Sequence, residues 1–267
     1  MLNKETGGFA AAVLPVTAQT ITTDTAGLEA GTVTIPVGDL QMPAYRAHPA
    51  GRNNLPVVLV ASEIFGVHEH IADVCRRFAT LGYLAIAPEL FVRHGDAGAY
   101  TETARLIAEV VNKASDAQAV SDLDATVAWA VAHGGDVARL GITGFCWGGR
   151  MTWRYVAHNP RVKAAVAWYG PVARSYHPGD GTTVELAALI KAPVLGLYGA
   201  ADTGIPVETL TELEAALKAA GHLNSEFVVY PDTPHAFHAD YRPSYRKAAA
   251  EDGWARCVAW FRKHDVA

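Results

Sequence analysis

Two hydrophobic periods alternate along this chain, and that exchange constrains its fold more than any other feature. Short, nearly unbroken apolar runs stand at Pro56-Val-Val-Leu-Val-Ala-Ser62, Leu84–Ala87, Leu140–Gly144, Val162–Trp168, Val194–Tyr198 and Phe227–Tyr230. A run without polar alternation has both faces covered, so each predicts a strand of a parallel sheet. Helical spacing over His68–Leu81, Asp116–His133, a segment beginning near Trp147, Val207–Ala220 and Ser244–Lys263 predicts the covering helices. Ahead of them, Gly31–Val37 and Met42–His48 flank Gly38-Asp39 and predict an antiparallel hairpin. The expected class is α/β: a mostly parallel sheet of about eight strands with helices on both faces.

At 267 residues the chain falls between one and two domains of roughly 150 residues each. It shows no linker, repeat or low-complexity segment. The expectation is a tail over residues 1–30 lying on one domain over 31–267. Within the tail the mildly apolar Phe9–Ala18 is broken by Pro15, and Lys4 is offset by Glu5, so it does not read as a secretory signal. Lys and Arg number 22 against 27 Asp and Glu, with no basic block to neutralise a phosphate backbone, so nucleic acid is not an expected partner. No apolar run reaches the ~18 residues of a membrane span, so no membrane partner is expected either. Cys75, Cys146 and Cys257 are an odd number without CxxC spacing, which argues against a disulfide framework or a structural zinc. A cytoplasmic protein, monomeric or a small homo-oligomer, is the expectation.

Gly144-Phe-Cys-Trp-Gly-Gly149 follows an apolar strand and opens a helical stretch. That is the context of a nucleophile elbow, with cysteine in the position usually held by serine. Glycines flank Cys146 because a sharp turn leaves no room for side chains, and the helix N-terminus behind it favours thiolate and oxyanion. In this architecture the acid and the histidine follow the nucleophile in that order, each after a strand. Asp202, past Val194–Tyr198, and His235, past the strand ending at Tyr230, meet both conditions. The backbone amides of Trp147 and, in the loop Ser62–Gly66, Ile64 are the expected oxyanion donors. Glu63 stands at the end of a core strand, where a carboxylate needs a partner, and a thiol can be that partner. The pair His68-Glu-His70 is read as pocket edge rather than metal site, since on a helix the two rings would point about 200° apart. No metal is expected. Trp129, Trp153, Trp168, Trp254 and Trp260 fall in apolar runs and are expected in the core.

Glu63-Ile-Phe-Gly66, the cysteine elbow, the Asp202 loop and His235-Ala-Phe237 together resemble the dienelactone hydrolase family, or carboxymethylenebutenolidases, over roughly Met42–Phe261. The resemblance implies an α/β-hydrolase fold without a cofactor, hydrolysing a small, anionic lactone or ester through a Cys-His-Asp triad. It implies that Glu63 holds the resting thiol and takes its proton when substrate enters. It also implies two arginines for a substrate carboxylate: Arg93 matches the first, Ala239 stands where the second would fall, and Arg242 is the candidate replacement. The stretch His235–Tyr245 (HAFHADYRPSY) resembles a bacterial branch of the family. Rival readings are a broad carboxylesterase or thioesterase, a redox-sensing thiol protein, and a glutamine amidotransferase. The last requires an H-x-E pair after the cysteine, which this chain lacks.

Overall fold

A computed structural model describes residues 20–267, so most of the expected tail lies outside the described residues. Eight strands form one sheet in the order β1-β2-β4-β3-β5-β6-β7-β8. They are β1 (Leu28–Val37), β2 (Leu40–Pro49), β3 (Leu55–Ala61), β4 (Leu84–Pro88), β5 (Gly135–Phe145), β6 (Val162–Trp168), β7 (Val194–Gly199) and β8 (Glu226–Tyr230). The helices are α1 (Glu69–Thr80), α2 (Thr103–Glu109), α3 (Asp116–Ala132), α4 (Trp147–His158), α5 (Val207–Ala219) and α6 (Lys247–Lys263). The β1–β2 and β2–β4 pairings are antiparallel, and every pairing from β4 through to β8 is parallel. The expected α/β class is borne out.

The burial of each strand explains its sequence. Every residue of β3 and β4 is buried, as their unbroken apolar runs require, and each fully buried Val or Leu contributes about 1.5–3 kcal/mol. The edge strand β1 alternates exposed and covered positions instead. On one face Phe78 of α1 packs against Trp254 and Phe261 of α6, with centroids 4.7 and 5.9 Å away. α3 and α4 pack together and are joined by the Tyr155 hydroxyl on Asp124 at 2.8 Å.

Three boundaries differ from the sequence reading. β1 begins at Leu28, inside the expected tail, and the chain before it is tied down: Asp240 accepts the Ile21 amide at 2.9 Å and Asp73 accepts that of Thr23. β5 starts at Gly135 because its first turn pairs with β3 through a register shift, although its residues there are only partly covered and carry no apolar signal. α6 begins at Lys247 rather than Ser244, after an extended Arg246.

From β3 the chain runs to β4 on one side and then to β5 on the other, which opens a crevice beyond the carboxyl ends of β3 and β5. Ala61 and Gly144 are register partners there, so the Glu63 loop and the Cys146 turn emerge side by side.

Candidate active site

Cys146 joins β5 to α4 with φ 56° and ψ −117°, a conformation that costs a non-glycine residue roughly 1–3 kcal/mol. Its surroundings hold it there. The Cys146 amide donates to the Trp168 carbonyl at 3.0 Å, and its own carbonyl accepts from the Arg150 amide at 3.1 Å. A Cβ at Gly148 would stand 2.2 Å from the Ala61 carbonyl oxygen, so only glycine lets α4 approach β3 this closely. Trp147, the first residue of α4, has an amide with no acceptor inside the helix. Ile64 follows β3 on the other side of the crevice.

Asp202 and His235 come from the loops after β7 and β8. These loops touch because Gly199 has no side chain: a Cβ there would lie 2.1 Å from the Thr233 carbonyl, which also accepts the Ala201 amide at 3.0 Å. The result is a 2.6 Å hydrogen bond from His235 Nδ1 to Asp202 Oδ2. Burial works against a charged His235. Its interactions with the Cys146 sulfur and the Asp202 carboxylate outweigh that and raise its pKa to about 10. Cysteine, histidine and aspartate therefore meet at one sheet edge.

Glu63 is 1 % exposed. Its Oε2 accepts the Tyr241 hydroxyl at 2.7 Å and lies 3.2 Å from His68 Nε2, while Oε1 has no protein partner. Burial raises its pKa, but the His68 hydrogen bond and the charges of His70 and Arg242 prevail, and Glu63 is held to about 2. Burial meanwhile depresses the His68 pKa against the opposing pull of Glu63. The expected Glu63–thiol hydrogen bond is absent among the described residues: the sulfur turns to His235 and Tyr241 takes the carboxylate.

The two arginines differ in fate. Arg93, the expected substrate clamp, is ion-paired through Nη1 to the buried Asp122 of α3. Arg242 stacks 5.1 Å over Phe65 and 5.9 Å over Tyr241 and acts electrostatically on Glu63. Ala239 is fully buried.

His68 and His70 do not diverge by a helical angle. His68 is the extended N-cap of α1, and the two rings stack with centroids 6.1 Å apart. His70 pairs with Asp240 at 3.1 Å, and no cluster of three metal-ligating side chains occurs among the described residues.

Two tyrosines escaped the sequence reading. Tyr241 lay unremarked inside the HAFHADYRPSY stretch. Tyr169, at φ 38°, sets a fully buried and unpartnered hydroxyl beside Glu63 and Cys146, with its ring 5.1 Å from His235. Its only sequence signal is its place just after β6, which an apolar run masks.

A parallel sheet with a strained strand-to-helix cysteine, and an acid and a histidine in the next loops, defines an α/β-hydrolase. The dienelactone hydrolase family model matches residues 42–265. A carboxymethylenebutenolidase-type protein of Methylorubrum extorquens is 58% identical over 97% of this chain and 90% of its own length. A dienelactone-hydrolase-type crystal structure from Klebsiella pneumoniae superposes with a TM-score of 0.86 at 52% identity, over 88% of this chain and 99% of that one. An acylaminoacyl peptidase of Pyrococcus horikoshii, 14% identical, shares the fold alone, with a TM-score of 0.70 over 90% of this chain and 42% of its own. The chain belongs to the dienelactone hydrolase family, and it is a lactone or ester hydrolase.

Proposed function

We propose that this protein hydrolyses small anionic lactones or esters by attack of the Cys146 sulfur on the acyl carbon. The observation that carries the reading is the 2.6 Å Asp202–His235 pair brought to a cysteine held in a strained elbow. His235 keeps the sulfur deprotonated and Asp202 fixes the ring so that Nε2 faces it. Attack on the carbonyl forms a tetrahedral oxyanion at the amides of Trp147 and Ile64. When the intermediate collapses, the C–O bond breaks and His235 passes its proton to the leaving oxygen, which in a lactone stays tethered. His235 then takes a proton from water, the hydroxide attacks the thioester, and the acid product leaves with the thiolate restored.

Glu63 stands beside the nucleophile as a fixed negative charge, with its Oε1 free of protein donors. Arg242, stacked beside Glu63, supplies positive charge at the crevice for an anionic substrate. A panel of small lactones and aryl esters, run against a Cys146→Ala control, tests the reading: turnover should require Cys146 and favour acidic substrates. Turnover surviving in the control would contradict it.

A further inference from the structure

The segment between β6 and β7 leaves the sheet beyond β6, two strands from β3, and a set of buried charges fixes it. Arg150 of α4 is fully buried and forms a two-pronged pair with Asp116 at 2.7 and 2.6 Å. Its Nε donates to the Arg174 carbonyl at 3.2 Å. Arg154, one turn further along α4, pairs with the same Asp116 and donates to the carbonyls of Asp180 and, at 3.3 Å, Gly181. Asp180 in turn accepts the Asp116 amide at 3.1 Å. Two arginines thus face two aspartates, and the segment is pinned at residue 174 and again at 180–181.

Between those pins lie Tyr176 and Arg174. The Arg174 guanidinium stacks 4.6 Å over the Tyr176 ring, and Arg150 lies 5.3 Å from the same ring on its own account. Tyr176 is half-buried and within electrostatic reach of the nucleophile. Burial first, and then the neighbouring Cys146, make its hydroxyl harder to ionise, against the pull of Arg174 and Arg150. Arg93 is committed to Asp122, and Arg242 shares its field with Glu63. Arg174 has no ion-pair partner among the described residues, and its head is exposed. Stacking on an aromatic face leaves the edge N–H groups of a guanidinium free to grip a carboxylate with two parallel hydrogen bonds.

We propose that Arg174, stacked on Tyr176 and braced by the Arg150–Asp116–Arg154 network, is a specificity-determining residue that binds the carboxylate of substrates entering the Cys146 site. The inference rests on Cys146 as the nucleophile and adds a carboxylate subsite on the α4 side of the crevice. It fits half-esters and lactones of dicarboxylic acids, whose free acid group can reach past the reacting carbonyl.

Two ratios test it in the full-length protein. The first compares kcat/KM for 4-nitrophenyl hydrogen glutarate with that for 4-nitrophenyl butyrate. In Arg174→Gln this ratio should fall by about 10- to 100-fold, through KM and less steeply in high salt, with partial rescue in Arg174→Lys. The second ratio needs no turnover: the rate of Cys146 alkylation by iodoacetate over that by iodoacetamide should fall roughly tenfold in Arg174→Gln. Ratios unchanged from wild type, including equal losses on charged and neutral reagents, would overturn the proposal. If neither ester is turned over by the wild-type protein, the hydrolase reading fails and the alkylation ratio still decides the role of Arg174.

Discussion

Two carboxylate–imidazole pairs flank Cys146, and their charges settle in opposite ways. Asp202 and His235 sit in loops after β7 and β8, with the histidine side chain 34% exposed, and the ring is driven up to about 10. Glu63 and His68 sit on the β3 side, each almost wholly buried, and there the carboxylate is driven down and the ring down with it. The chemical groups are nearly the same. The difference lies in what else each can reach: His235 has the cysteine sulfur beside its carboxylate, whereas His68 shares the Glu63 carboxylate with Tyr241 and faces the charges of His70 and Arg242. In the buried pair desolvation depresses the ring while hydrogen bonding and nearby positive charge depress the carboxylate, and in the open pair the neighbouring sulfur and carboxylate raise the ring. One pair is suited to hold a proton beside the nucleophile, the other to stand as a fixed negative charge with one oxygen unclaimed.

The sharpest break of the comparison is removal of the sulfur between the pairs. Cys146→Ala should abolish hydrolysis, and His235 should then titrate well below 10 in NMR, since its largest positive influence is gone. Cys75→Ala and Cys257→Ala should keep turnover, because both thiols are fully buried and pushed far up by desolvation. Glu63→Gln comes next. It keeps the shape but removes the fixed charge, so kcat should fall about 10- to 100-fold with the fold intact by circular dichroism. Wild-type kcat in this variant would make the buried pair purely structural.

The pH profile sharpens the open pair. With the pKa of His235 raised to about 10, its proton is lost only as pH rises through that value, so kcat/KM should hold across neutral pH and fall on the alkaline side near 10. In Asp202→Asn an anion that raises the pKa is missing, and the alkaline limb should move to lower pH. The smallest expected effect falls outside both pairs. Glu89 accepts the Val67 amide at 2.8 Å and braces the Glu63 loop, and burial raises its pKa to about 7 despite that bond. A carboxyl group with a raised folded pKa binds more protons folded than unfolded between about 4.5 and 7, so it costs stability as pH climbs through that window. Glu89→Gln should therefore stabilise the protein at pH 8 by about 1–2 kcal/mol and change little at pH 4. An equal effect at both pH values would show that the carboxyl group does not titrate there.

The strands were legible because the parallel core leaves apolar runs, and α1, α3 and α5 because they leave helical periods whose ends fall within a residue of the expected ones, whereas α2, with Leu106 as its one buried side chain, left no such period. Cys146, Asp202 and His235 were legible as candidates because each follows a strand in a fixed order. The partners of Glu63 were not. Tyr241 is 178 residues from Glu63 in sequence, and its approach depends on how the segment after His235 folds back over α1. The ion pair of Arg93 was hidden for the same reason, since its partner Asp122 lies 29 residues on, in α3. The roles of His68 and His70 turned on a single extended N-cap residue that a helical-wheel argument cannot anticipate.

The most direct test of the account is to trap the acyl-enzyme. The protein is mixed with excess 4-nitrophenyl acetate, quenched in acid within the first turnover, digested and analysed by mass spectrometry. The account predicts a burst of one equivalent of nitrophenol per protein, with a single acetyl group on the peptide carrying Cys146 that accumulates in His235→Gln under longer incubation. Turnover with no acyl group on Cys146, or with the acyl group on another residue, would contradict it.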